Sequence, residues 1–298
     1  MHPAGTTFRK ELGVLMEALA ISPGDWYPNV ATLFEHELSH PIKVQLRLDA
    51  SFLAVVARSH LASVRSRLYR VLGDEFLDFQ VASACENVSK RFPEAAWLVK
   101  LSLSGQGPHA KLALDRRLDL TELEGVLECL KVPVDKGISA TAALLDSVGV
   151  DTVRRVSASP GRPIRVEVYA EHEAEPGGGA SVIEALAAQT GLEGDSALAA
   201  LREHHQTMCR YGQQRYTIGF DENGLRNGLK IEYADVPAAD LGVLIDALIP
   251  APTMARRRLQ VVGRTLALKV LDHVSVRLRS ELPVHMTAYF NRSYAAVA

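Results

Sequence analysis

Seven cations, Lys43, Arg47, Lys100, Lys111, Arg165, Lys230 and Arg277, are each flanked on both sides by an aliphatic residue in stretches of alternating character. The carboxylates Asp49, Asp115, Glu167 and Glu232 fall on the same polar faces, as do Tyr169 and Tyr289. If these faces converge, the chemistry they suit is recognition of a phosphate or diphosphate, since Arg and Lys are the natural complement of such anions. Seven like charges in an enclosed space repel strongly unless a polyanion or the interleaved carboxylates offset them. The chain contains no GxxxxGK[ST], no strand-linked GxGxxG, no DDxxD and no Gly-x-Ser-x-Gly. An anion site must therefore be built from side chains on strands, and an elbow-type hydrolase is disfavoured.

Whether the faces converge depends on the elements that carry them. From Ile42 to Asp49 every even position is aliphatic and every odd one polar or charged, the period-two signature of a strand with one dry and one wet face. The pattern returns as hairpins. Trp97–Ser104 pairs with His109–Asp115, Thr152–Ser157 with Pro163–Tyr169, Arg215–Phe220 with Gly228–Tyr233, and His273–Arg279 with Val284–Phe290. Helical patterns lie between them, at 7–20, 29–38, 82–91, 119–130, 138–148, 180–191, 195–208, 237–248 and 254–270. Residues 51–72 also read as an amphipathic helix, carrying Arg58, Arg65, Arg67 and Arg70, and Phe76–Gln80 as a short strand. Glu175–Gly179 reads as a flexible loop.

About ten strands in antiparallel pairs, separated by helices and with no splitting linker, give one α+β domain over residues 1–298. In an open sheet the charged faces would meet solvent. In a barrel wrapped by helices they line a lumen, and that arrangement makes a binding chamber.

Composition narrows the partners. A net charge of -2 and a pI near 6.6 argue against a nucleic-acid binder working through bulk positive charge. Cys85, Cys129 and Cys209 are odd in number and ungrouped, so they read as free thiols in a reducing cytoplasm. No apolar h-region or membrane-length run is present, and a monomer is expected. His204 and His205 read as surface residues. His273 and His285 read as proton-transfer groups or as structural histidines.

Several short segments are collinear with one family. Tyr27-Pro28, Leu33-Phe34-Glu35, Arg165-Val166-Glu167-Val168-Tyr169, Tyr216–Gly219 with Gly228–Tyr233, and Thr287–Arg292 resemble motifs of the cyanobactin-type peptide prenyltransferases. The resemblance implies the ABBA fold, a ten-stranded antiparallel β-barrel surrounded by α-helices. It also implies transfer of a dimethylallyl or geranyl group from an allylic diphosphate, with Mg2+ bound through the diphosphate, to a side chain of a ribosomal peptide. On that reading Arg58, Lys111 and Lys230 hold the diphosphate, with Arg47, Lys100 and Arg277 behind them. Tyr169 and Tyr289 shield the allylic cation, and Thr217 lies where the isoprene pocket is shaped. One departure matters: the family's first-strand glutamate is Lys43 here, or Gln45 two residues on. Asp49, Asp115, Glu167 and Glu232 then stand as the remaining bases, suited by charge to an arginine acceptor. The alternative is a non-catalytic barrel that binds a peptide or phosphorylated metabolite.

Overall fold

The computed structural model describes residues 8–37, 39–50, 52–59, 79–104, 107–159, 164–172, 179–221, 223–226, 228–266, 271–280 and 283–292. The chain opens with α1 (Phe8–Ala18), α2 (Tyr27–Thr32) and a π-helical turn (Leu33–Glu37). It continues through β1 (Ser39–Arg47), β2 (Leu53–Ser59), α3 (Phe79–Arg91), β3 (Ala96–Ser104), β4 (Gly107–Asp115), α4 (Leu120–Leu130) and α5 (Val134–Val148). Next come β5 (Arg155–Ser159), β6 (Arg165–His172), α6 (Gly179–Thr190), α7 (Ser196–Cys209), β7 (Gln214–Asp221), the two-residue β8 (Gly224–Leu225) and β9 (Leu229–Ala234). Then α8 (Leu241–Leu248) and α9 (Pro252–Leu266) precede β10 (His273–Leu278) and β11 (His285–Arg292).

All pairings are antiparallel between sequence neighbours, β1 bonds β11, and β6 bonds β7. These two contacts close ten strands into a barrel with no free edge, β8 being an extra rung on β7. Local chemistry sets the helix ends. Asp119 caps α4 in a reciprocal box with Glu122, Asp195 caps α7, and Gly149 takes a left-handed φ of 73° at the end of α5.

The wall sorts its residues by parity. Ile42, Val44 and Leu46 on β1, Val99 and Leu101 on β3, and Val166 and Val168 on β6 are buried beneath the helices. Their alternates face inward. The hydrophobic core is thus a sleeve between barrel and helices, which frees the lumen for polar groups. No helix among the described residues is long and apolar enough to cross a membrane.

The sequence expectation fails at several places: Gly179 begins α6 while residues 175–178 of the expected loop lie outside the described residues, and β5 starts at Arg155 and not at Thr152. Residues 53–59 are strand β2, not helix, and residues 60–72 lie outside the described residues. Leu53 to Ala57 are buried on both faces, so the run shows no alternation to distinguish a strand from a helix. Phe79 and Gln80 begin α3 and are not strand, while residues 76–78 lie outside the described residues. His205 is buried, not on the surface: it bonds the Tyr233 hydroxyl at 2.8 Å beneath α7.

Candidate active site

Closure carries the polar faces into one chamber of about 630 Å³, lined by eleven Lys and Arg residues against the carboxylates of Asp115, Glu167 and Glu232. All seven alternating cations line it, and so do Arg58, Arg155, Arg226 and Arg279. Strand register makes the crowding direct. Lys100 stands opposite Lys111 across β3 and β4, and Lys230 opposite Arg277 across β9 and β10. Arg155 and Arg226 escaped sequence reasoning. Arg155 shares a parity with Ser157 and Ser159, which a strand placed at 155–159 would have exposed; Arg226 follows the β8 rung, where no alternation operates.

Glu167 is the hub. Its carboxylate bonds Lys111, the Tyr169 hydroxyl at 2.9 Å and Arg277 at 2.5 Å. Burial pushes its pKa up, yet Arg277, Lys111 and Lys230 outweigh that and hold it well below the carboxylate range. Burial likewise works against the Lys111 and Arg277 cations, and Glu167 more than restores both. Lys100 has no such counter-ion among the described residues. Burial, then Lys111 and Lys230, pull its pKa well below the ordinary lysine value. Its ammonium lies 6.0 Å from the Phe52 ring.

A second cluster lies on the β9–β10 wall. Glu232 bonds Lys230, with Arg215 at 3.7 Å and His273 Nε2 at 3.9 Å. His273 Nδ1 lies 2.5 Å from Asp272, whose other partners are Lys43 at 2.6 Å and Asn291. The His273 ring stacks on Tyr289 at 3.7 Å. The remaining expected bases are held elsewhere. Asp115 is paired with Arg154 at 3.0 Å, Arg155 at 3.2 Å and Arg58 at 3.5 Å, and Asp49 with Arg47 and with His285 at 3.7 Å. Burial raises Asp115, but Arg155 and Arg154 hold it below its usual value; Glu232 is held well below by Lys230, His273 and Arg215 against burial.

Near Arg226 the cations have little to offset them. Arg226 meets Asp221 at 3.6 Å, while burial and the neighbouring guanidiniums depress both Arg226 and Arg279. The aromatic faces are few. Tyr169 has Lys230 over its ring at 5.0 Å, Arg155 at 5.8 Å and Lys111 at 5.9 Å, while Tyr216 and Tyr233 lie on the helix side with His205. Thr217 lines a separate recess of about 30 Å³ beside Glu167 and Arg277. The donor set gives Mg2+ no protein cage, so an Mg2+ would be carried by the diphosphate. Among the described residues no group of His, Cys, Asp and Glu could hold a metal, and each chamber carboxylate is already ion-paired.

No protein-family model matches the sequence, and no curated protein matches it. Solved structures do match. The 5-dimethylallyltryptophan synthase from Streptomyces coelicolor is 15% identical, with a TM-score of 0.66 over 98% of this chain and 99% of that one. The 6-dimethylallyltryptophan synthase from Micromonospora olivasterospora, in complex with DMASPP and Trp, gives 16% identity and a TM-score of 0.68 over 96% and 98% of the chains. NotF prenyltransferase gives 11% identity and a TM-score of 0.59 over 94% and 92%. At these identities the likeness establishes the fold: a ten-stranded antiparallel barrel ringed by nine helices among the described residues, the ABBA barrel.

Proposed function

We propose that this chain is a prenyltransferase, moving a short isoprenyl group from an allylic diphosphate to an acceptor nucleophile inside the barrel. The observation that carries this reading is one chamber lined by eleven Lys and Arg residues, against Asp115, Glu167 and Glu232 in its lining and Asp49, Asp221 and Asp272 paired with cations at its margin. Such a wall is poorly balanced when empty and complements a diphosphate. Lys100 is the first ligand, because among the described residues it has no ion pair to break and the anion restores its depressed charge. Lys111, Lys230 and Arg277 exchange part of their contact with Glu167 and Glu232 for diphosphate oxygens, and Arg58 and Arg47 assist. As the allylic C–O bond ionises, these cations stabilise the leaving group in a space where water is restricted. The Tyr169 and Tyr289 rings then face the allylic cation.

The neutralising charge comes from the protein, where no group of His, Cys, Asp and Glu among the described residues could hold a metal. The Thr217 recess is about 30 Å³ against about 630 Å³ for the chamber, so the isoprenyl chain of the donor lies in the chamber. The cationic wall disfavours an arginine guanidinium as acceptor. It suits a neutral aromatic side chain, which we place on a ribosomal peptide in keeping with the cyanobactin-type resemblance. The matching structures include enzymes named for dimethylallyltryptophan, two of them in complex with Trp. Incubating the protein with dimethylallyl diphosphate and free or peptide-borne Trp, Tyr and Arg, with and without EDTA, tests this. Prenylated aromatic product that persists in EDTA is expected. Binding of dimethylallyl thiolodiphosphate with no product from any acceptor would favour the non-catalytic alternative, which the Lys43 and Gln45 pair in place of a first-strand carboxylate supports.

A further inference from the structure

The prenyl-transfer reading lacks a base, since Asp49, Asp115, Glu167 and Glu232 are all engaged with cations. We propose that His273, oriented by Asp272 and flanked by Glu232, is the general base, and that their corner receives the N–H or O–H of a neutral indole-like or phenol-like acceptor. This rests on the prenyl-transfer reading and adds the residue that takes the proton.

Asp272 lies 2.5 Å from Nδ1 and is itself fixed by Lys43 at 2.6 Å and by Asn291. A carboxylate in that place puts the proton on Nδ1 and leaves the lone pair on Nε2. Nε2 faces Glu232 Oε2 at 3.9 Å; that oxygen is buried, has the Arg215 guanidinium at 3.7 Å, and accepts no hydrogen bond. Two acceptors confronting one another inside a protein mark a place where a donor is missing. Gln45, opposite Tyr289 in the ladder, adds a third buried acceptor, its Oε1, without a partner. Both His273 and Glu232 are more than nine-tenths buried, and both line the chamber.

The groups facing His273 are Asp272 from its own strand edge, Lys43 from β1, Glu232 and Lys230 from β9, Arg215 from β7 beyond Glu232, and Tyr289 from β11. Burial takes the imidazole down to about 4, against the upward pull of Asp272 and Glu232. It is therefore neutral at ordinary pH, with the Nε2 lone pair unprotonated. The imidazolium it forms stands between two carboxylates. In the step itself the allylic C–O bond breaks and its electron pair leaves on the diphosphate. A lone pair of the acceptor nitrogen or oxygen forms the bond to the allylic carbon, and the acceptor proton passes to Nε2 and then to solvent.

The test uses the full chain with ¹³C-labelled histidine, observed by NMR as indole, phenol, N-methylindole or methylguanidinium is added, with and without dimethylallyl thiolodiphosphate. The His273 signal is expected to shift saturably with indole or phenol and not with N-methylindole or methylguanidinium. An equal response to N-methylindole, or none to any probe, overturns the assignment. In turnover, His273→Asn is expected to lower kcat by about 100-fold or more while thiolodiphosphate affinity stays within about twofold. Asp272→Asn, which favours the wrong tautomer, is expected to lower kcat with KM unchanged and to alter the acid limb of the pH profile. Wild-type kcat in His273→Asn overturns the proposal. Failure of the wild-type chain to bind thiolodiphosphate would instead remove the prenyl-transfer reading, and the NMR arm without that ligand would still judge the corner.

Discussion

Lys100 and Glu167 are two answers to one electrostatic problem. Lys100 has no ion pair among the described residues; burial, then Lys111 and Lys230, pull its pKa down against the weaker upward pull of Glu167. A diphosphate reverses that shift, and the sign follows: between the lowered value and about 10.4 the free chamber holds less than one proton on Lys100, and the complex holds more. Inorganic diphosphate binding, measured calorimetrically below about pH 10 in buffers of different ionisation enthalpy, is expected to take up a proton on Lys100. Lys100→Met should abolish that uptake; an unchanged uptake would clear Lys100 of the role. Glu167 instead balances Lys111 and Arg277 in the empty barrel. Glu167→Gln leaves both cations buried without it and is expected to cost about 3–5 kcal/mol, read as a lower Tm. The stabilisation by added diphosphate should be larger in this variant than in the wild type, since the anion replaces the missing carboxylate. The depressed Glu167 and Glu232 carboxylates also fix the acid limit. Their contribution is complete above the unfolded carboxylate value of about 4.3 and is lost as pH falls below it toward the folded values. His273 acts in the same direction over the window from about 6.5 down to about 4, because the unfolded chain protonates it first. Stability followed by urea denaturation should therefore decline from about pH 6.5 downward, more steeply below about 4.3.

At the scale of the element, the β9–β10 junction depends on a single glycine. Gly228 has φ at +144°, and a Cβ there would lie 2.8 Å from the Leu278 carbonyl oxygen. Gly228→Ala is expected to destabilise the fold by about 1–3 kcal/mol and to weaken diphosphate binding through Arg277 and Lys230, both on strands that meet there. A variant as stable as the wild type would show that the ladder yields. Alternation made β1, β3, β4, β6, β9, β10 and β11 legible in the sequence, because each has one apolar and one charged face. β2 was hidden, since Ala54 and Val56 face inward where other strands place charge. Arg58 was consequently placed on a helix, though it lines the chamber from β2. What no pattern could supply was pairing. That Glu167 would be a hub, that Asp272 would hold His273, and that His205 would be buried all depend on which strand lies beside which.

Across the whole molecule, the barrel inverts the usual order of a soluble protein. Its aliphatic residues form a sleeve under the helices, and its charges lie at the centre. That arrangement gives up favourable solvation of the cations and is sustained by the carboxylates threaded among them. It leaves the chamber with more cations than carboxylates, a surplus that an anionic ligand complements. The most direct test is mass spectrometry of Trp- and Tyr-bearing acceptors after incubation with dimethylallyl diphosphate and the protein in the presence of EDTA. Acceptors carrying one added C5H8 unit, with inorganic diphosphate released in equal amount, are the result this account predicts. Unmodified acceptors and intact dimethylallyl diphosphate, with or without Mg2+, would contradict it.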